Sequence, residues 1–266
     1  MARVPRIRQR ADCGTRRVRI GRGRAHGSPS ESTPPMIDYD FLRSLDFTVA
    51  WTYLPALLSG LLTNILLTGI GFFCGGIVVG TLLALANLSS RRIIRWPALG
   101  FVEFWRSTPL LVQAIWVHFA VPSLTGIATT PFESASIALI FNVAAYCSEI
   151  IRGGILGVGK GQFEAAKALG MRAFATWHKV ILPQAIRLML PPLVGTTISI
   201  FKATAILSVL AINDLLRAAS RLSTFTFQPV EIYTTAALLA FVVGLCISVL
   251  GYLAERALKK RGAYGH

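Results

Sequence analysis

Few side chains in this sequence can do chemistry, and the ones that can sit where charge is costly. Lys202 has Ile198 to Phe201 before it and Ala203 to Ala211 after it, a run with no other ionisable group. Glu149 and Arg152 fall i, i+3 near the end of another apolar run, on one helix face where they can pair. Arg106 stands in Trp105-Arg106-Ser107-Thr108-Pro109, just ahead of a proline that breaks or starts a helix. An ionised group in a membrane segment must be paired, hydrated or near a helix end, so such residues point to a polar path through the bilayer. Each also has a plainer reading: a structural ion pair for Glu149 and Arg152, a headgroup anchor for Arg106, and snorkelling to the interface for Lys202.

Bond-making chemistry has no support. His26, His118, His178 and His266 are scattered without metal-ligand spacing. Cys13, Cys74, Cys147 and Cys246 also lack it, and three of them lie in apolar segments, where Cys usually behaves as a small hydrophobe. No serine sits in a nucleophile elbow. Gly154, Gly159 and Lys160 imitate the G-x-x-x-x-G-K of a phosphate-binding loop. Gly161 follows where a Mg²⁺-holding hydroxyl belongs, and a helix-like apolar segment precedes where a strand belongs. The chain is expected to bind no cofactor or metal and to hydrolyse nothing.

The elements that position these groups are membrane spans. Of 266 residues 53% are hydrophobic and 15% charged, against about 25% charged in a soluble domain. Mean hydropathy is +0.59. The stretch 44–90 carries one charge, Asp46, and Ile232 to Ala254 carries none, which is enough to cross a core about 30 Å thick. The reading is an all-α polytopic membrane protein with about five spans. They are placed in Trp51 to Asn87 (after an interfacial turn near Pro55), around Pro109 to Ala120, over Ala135 to Ile151, over Leu188 to Ala211, and over Tyr233 to Leu253. Val121 to Ser134 reads as an outer loop. Asn213 to Val230 reads as a polar loop able to hold a short helix. Gly71 with Gly75, and Gly76 with Gly80, let another helix approach closely.

A formal net charge of +15 suggests nucleic acid until its distribution is read. Nine arginines precede residue 25, and most other basic residues border apolar runs, with no DNA-reading module. On alternate sides of the membrane domain, Lys and Arg number thirteen against two. The positive-inside rule then places residues 161–183 and the C-terminus in the cytoplasm and the start of the membrane domain outside. Residues 1–35, rich in Arg, Gly, Ser and Pro, form a separate extension with no apolar periodicity and are expected to be disordered. Three readings compete for them: a basic tail for lipid or nucleic acid, a transit-type leader, or upstream sequence read through from a misplaced start. The last is favoured, with translation from Met36, because the topology would otherwise put the arginines outside.

One cytoplasmic segment differs from its surroundings. Gly161 to Pro183 is polar and helix-favouring. Gln162 to Leu169 spans only about 12 Å as a helix, too short to cross. Gly170 permits a backbone corner, and Phe174, Trp177 and Ile181 then fall i, i+3, i+7 on one helical face. Pro183 favours a bend before the next span. Small Ala165 and Ala166 are expected to lie against a partner's surface. The alternative is an ordinary amphipathic connector.

This segment resembles the EAA loop of ABC-importer permeases, with Glu164, Ala165, Ala166, Gly170, Val180 in place of the usual Ile, Leu182 and Pro183 in the family spacing. Phe101 to Gln113 and Ala144 to Ile155 are similar to the polar amino-acid branch, the histidine/glutamine type. The resemblance spans roughly residues 57–261 and makes 36–266 the permease domain. It implies the type I, MetI-like importer fold and uptake of a polar amino acid or similar small amine across the bacterial inner membrane. Separate ATPase subunits holding ATP and Mg²⁺ would dock at Glu164, Ala165, Ala166, Gly170, Leu182 and Pro183. A second permease copy or a homologous permease, an extracellular or periplasmic solute-binding protein and membrane lipid are the other implied partners; nucleic acid is not. The translocation path is expected along Arg106, Gln113, Glu149, Lys202 and Thr204. Where the branch commonly carries Lys-Asp-Thr-Ser-Leu, this chain has Lys202, Ala203, Thr204, Ala205 and Ile206. A counter-charge for Lys202 must therefore come from elsewhere, and no specific amino acid carries over. The competing readings are a stand-alone secondary transporter or channel, and a membrane-anchored nucleic-acid binder using the N-terminal arginines.

Overall fold

A computed structural model describes the backbone of residues 45–263 and the side chains of 45–258. The extension 1–35 and the start at Met36 lie outside the described residues. A one-turn helix α1 (Thr48–Thr52) leads into α2 (Leu54–Asn87), with Pro55 in its first turn. There follow α3 (Arg92–Ser107), α4 (Leu110–Thr125), α5 (Pro131–Leu156), α6 (Lys160–Ala168), α7 (Ala173–Leu210), α8 (Leu215–Thr226) and α9 (Pro229–Ala263). Helices α2, α5, α7 and α9 are each long and apolar enough to cross a membrane, which makes four spans, or five if the bent pair α3 and α4 is counted as one.

Helix α5 is the centre of the packing. Its Ala135, Ala138, Leu139, Val143 and Cys147 are buried together with Leu67, Val102, Trp105, Val117, Ile200 and Leu207 from the surrounding helices. Helix α2 reaches α5 through the paired glycines. A Cβ at Gly75 would stand 2.5 Å from the Ile140 carbonyl oxygen, and one at Gly76 would stand 2.9 Å from Cys147 Sγ. Without competing water, such close van der Waals packing is what associates helices in lipid. Helix α2 adopts wider, π-type turns over Gly71–Val79, where the approach is closest.

Three sequence expectations change. The loop expected over Val121 to Ser134 shrinks to residues 126–130. Helix α4 runs on to Thr125, and α5 starts early because Pro131 occupies its first turn behind a capping box. In that box the Thr130 N–H donates to Glu133 Oε2 at 2.8 Å and the Glu133 N–H to Thr130 Oγ1 at 3.3 Å. The second span is two helices at 106°, parted at Thr108 and Pro109. At 16 residues, or about 24 Å, neither piece reaches across alone. The fourth span does not begin afresh after Pro183: α7 passes through Pro183, Pro191 and Pro192 as one helix. A wide turn over Trp177–Ile181 precedes Pro183, and the Gln184 side chain donates to the Val180 carbonyl at 3.0 Å. Wider turns and side-chain donors of this kind re-satisfy a proline-disturbed ladder.

Candidate functional site

The segment 161–183 folds as a braced corner. Helix α6 closes on Gly170, whose φ is +69°. The Gly170 N–H donates to the Lys167 carbonyl and the Met171 N–H to the Ala166 carbonyl, both at 3.0 Å, the paired bonds of a Schellman motif. Beyond it Arg172 is extended, and α7 starts at Ala173. Three contacts brace the corner, the first and last to residues outside it. Gln184 Nε2 donates to Gln162 Oε1 at 3.2 Å, Phe163 meets Trp177 edge-on at 6.2 Å, and Ile181 is buried with Ile151, Ile155 and Ala185.

Glu164, Ala165, Gly170, Leu182 and Pro183 are exposed. Ala166 is not. It is 3% exposed and packs within its own chain, which corrects the expectation that both alanines face a partner. The apolar face expected from Phe174, Trp177 and Ile181 also splits. Ile181 is fully buried, while Phe174 is 82% exposed and stacks on His178 at 6.0 Å, because the wide turn between them shifts the register. Leu169 is 80% exposed as well.

Above this corner α5 and α7 run side by side, and two cavities open between them. The larger, about 590 Å³, is walled by Arg106, Thr108, Asn142, Tyr146, Thr196 and Ser199 with neighbouring apolar residues. The smaller, about 350 Å³, lies further along the same two helices and is walled by Glu149, Gly153, Gly157, Leu188 and Pro192 among others. Glu149 and Arg152 pair at 2.7 Å as their spacing predicts. The Arg106 guanidinium lies 5.7 Å over the Tyr146 ring and only loosely, at 4.0 Å, from Glu103.

The other residues expected on a path do not line these two cavities. Gln113 is buried off the groove: its Nε2 donates to the Trp105 and Thr108 carbonyls at 2.8 and 3.0 Å, and its Oε1 accepts from Asn142 Nδ2 at 2.9 Å. It clasps the break between α3 and α4 to α5, away from the walls of both cavities. Thr204 is likewise interior, accepting from Asn64 Nδ2 at 2.9 Å. Asn64 Oδ1 in turn accepts the Leu215 N–H at 2.9 Å, so α2, α7 and α8 meet there. Lys202 faces a different groove of about 650 Å³ lined by Asn64, Phe201, Tyr233 and others. Among the described residues no carboxylate lies within ion-pair distance of it. Sequence reasoning missed Asn142, Tyr146, Thr196 and Ser199. The available signal was Asn142 and Tyr146 at i, i+4 inside an apolar span.

Gln113→Leu is expected to cost about 1–3 kcal/mol, because three hydrogen bonds, one buried and two part-buried, lose their partner. The check is a lower melting temperature of the purified protein. An unchanged one would make the clasp incidental.

Residues 76–260 match the family described as the binding-protein-dependent transport system inner membrane component. The arginine transport system permease protein ArtQ of Bacillus subtilis is 34% identical over 81% of this chain and 98% of its own length. The glutamine transport system permease protein GlnP of Escherichia coli is 33% identical over 80% and 98%. A crystal structure of an amino acid ABC transporter with histidines aligns with a TM-score of 0.74 at 36% identity, covering 80% of this chain and 99% of that one. Inward-facing MetNI methionine ABC transporter, at 19% identity and a TM-score of 0.65, shares the fold.

Proposed function

The chain belongs to the family of binding-protein-dependent transport system inner membrane components, and from that membership we propose that it passes a polar amino acid or similar small amine across the bacterial cytoplasmic membrane. It is a multi-pass permease subunit of an ABC uptake system. The relatives named for arginine, L-cystine and glutamine transport support an amino-acid cargo. Two copies, or this chain and a homologous permease, enclose the path. Two separate ATPase subunits bind ATP and Mg²⁺, and an extracytoplasmic solute-binding protein delivers the substrate. Glu164, Ala165, Gly170, Leu182 and Pro183 form the surface offered to the ATPase, with exposed Leu169 and Phe174 beside them and Ala166 holding the loop from within. The path runs by Arg106 and Glu149, and Lys202 faces a second wall.

The observation that carries this reading is the continuity of α7. Its 38 residues, about 57 Å, run from the exposed corner to the groove with no break. A push on the corner therefore moves the wall beside Thr196 and Ser199 as one rod, the kind of rigid-body motion that opens and closes a path. The test is reconstitution in proteoliposomes with the cognate ATPase and binding protein, offered an equimolar mixture of the twenty amino acids. Uptake of one or a few amino acids that needs internal ATP is expected. Uptake by the purified chain alone, driven by an ion gradient, would instead establish a secondary transporter.

A further inference from the structure

Lys202 carries its charge at the depth where charge is hardest to hold. Helices α7 and α9 are consecutive spans joined by α8, so they run in opposite directions. They touch where Gly251 lies on Val194: a Cβ on Gly251 would collide with the Val194 side chain. Eight positions outward from that contact on each helix stand Lys202 and Val243. Residue 243 is the midpoint of the charge-free run 232–254, so Lys202 lies near the middle of the bilayer. Half of a core about 30 Å thick is further than a four-carbon stem can carry an ammonium, which removes snorkelling to a headgroup as its role. Lys202 is exposed to the groove of about 650 Å³ walled mainly by α7 and α9. Among the described residues that line this groove, Lys202 alone is charged. Asn64 is spent on Thr204 Oγ1 and the Leu215 N–H, and Ser248 Oγ donates to the Gly244 carbonyl at 2.9 Å. The other walls, Tyr233 apart, are apolar. An unpaired ammonium facing lipid at this depth is costly, so the groove must hold water or an anion beside it.

From this we infer that the α7–α9 groove is an aqueous stretch of the translocation path, and that Lys202 makes it charge-selective: it passes amino acids with neutral or acidic side chains and turns back cationic ones. The inference rests on the amino-acid reading of the permease and narrows its cargo. Apolar walls of low dielectric focus the field of a fixed charge into a cleft, and salt screens such a charge less than one on an open surface. The α-ammonium and α-carboxylate of an amino acid cancel, so the side chain alone sets the net charge that meets Lys202. Glu149 gives Lys202 no offset. It pairs with Arg152 at 2.7 Å and lines a different cavity.

The test uses the complete transporter in lipid nanodiscs and places a thiol beside the lysine. Ala205 lines the same groove three positions on, so Ala205→Cys reports the potential there while Lys202 stays in place. The probes are two methanethiosulfonates of opposite charge, the anionic sulfonatoethyl and the cationic trimethylammonioethyl reagent. Their rates are corrected for reaction with a free thiol and read by mass spectrometry of the peptide carrying residue 205, so the native cysteines do not interfere. The anionic reagent is expected to react at least about tenfold faster than the cationic one, the low end of field-driven enrichment in a cleft. Adding Lys202→Gln should erase that preference, and Lys202→Arg should keep it. Ser248→Cys, on the opposite wall, repeats the measurement if Ala205→Cys does not fold. A thiol that reacts with neither reagent overturns the inference, since lipid or a second copy would then fill the groove. Equal corrected rates overturn it too, because a partner's carboxylate would then be neutralising Lys202. So does wild-type uptake of arginine or lysine from the amino-acid mixture as readily as of neutral amino acids. Absence of any ATP-driven amino-acid uptake would remove the functional reading itself, a different result from uptake through a groove blind to charge.

Discussion

Gly170→Pro abolishes ATP-driven uptake while leaving the protein inserted in the membrane. Gly170 sits at φ +69°, and proline is locked near −65° and has no N–H to give the Lys167 carbonyl. The substitution removes both bonds that turn the chain out of α6 and costs about 3 kcal/mol or more locally. Helix α6 has nine residues, too few to hold a helix alone in water, so the corner loses its shape. A 3 kcal/mol penalty corresponds to roughly a hundredfold loss of the docking-competent form. Gly170→Asn should retain most uptake, because asparagine tolerates the left-handed region; Gly170→Ala should fall between. Insertion is checked by the amount of protein in purified membranes, and uptake by labelled substrate in proteoliposomes with the ATPase and binding protein. If the asparagine variant were as inactive as the proline one, backbone geometry would not be the reason for glycine there.

Gly75→Leu separates the two most closely packed helices. The new Cβ would sit 2.5 Å from the Ile140 carbonyl oxygen and 2.9 Å from its Cα. These are backbone atoms and cannot rotate away, so α2 must retreat from α5 along its whole seam. Overpacking of this kind costs about 1–3 kcal/mol, and more where backbone must move. Here about 3 kcal/mol is expected, read as reduced yield and a clearly lower melting temperature. Gly69→Ala is the control. A Cβ there meets nothing within 4 Å, and alanine is the better helix former, so stability should be unchanged or slightly higher. Equal behaviour of the two variants would show that the glycine seam does not hold α2.

Asp214 shows how far a local reading can go. As a polar residue before Leu215 it suggests a helix cap, and its Oδ1 does accept the Arg217 N–H at 2.9 Å. That it is fully buried, and that burial pushes its carboxyl above the usual range, depends on the packing of α2 against it. Gly60 lies directly on the Asp214 backbone, 154 positions away in sequence.

What depends on neighbours along the chain could be read without the fold. Apolar runs long enough for the bilayer give the spans. The asymmetry of Lys and Arg gives an expected orientation. The run from Glu164 to Gly170 gives a short helix and a left-handed corner, because helix propensity and the freedom of glycine act within a few residues. The pairing of Glu149 with Arg152 was legible for the same reason. Tertiary structure alone decided which polar residues face the groove and which are spent inside. Gln113 and Thr204 look as suited to a path as Thr196 and Ser199 do. Their fates differ because Asn142 and Asn64 reach Gln113 and Thr204 from positions 29 and 140 residues away. A buried amide or hydroxyl must find a partner wherever the fold supplies one, and a linear pattern does not record which distant side chain arrives. The continuation of α7 through Pro183 belongs to the same class. A lone proline signals a bend, and the wide turn at Trp177–Ile181 with the packing of Ile181 against α5 removes the need for one.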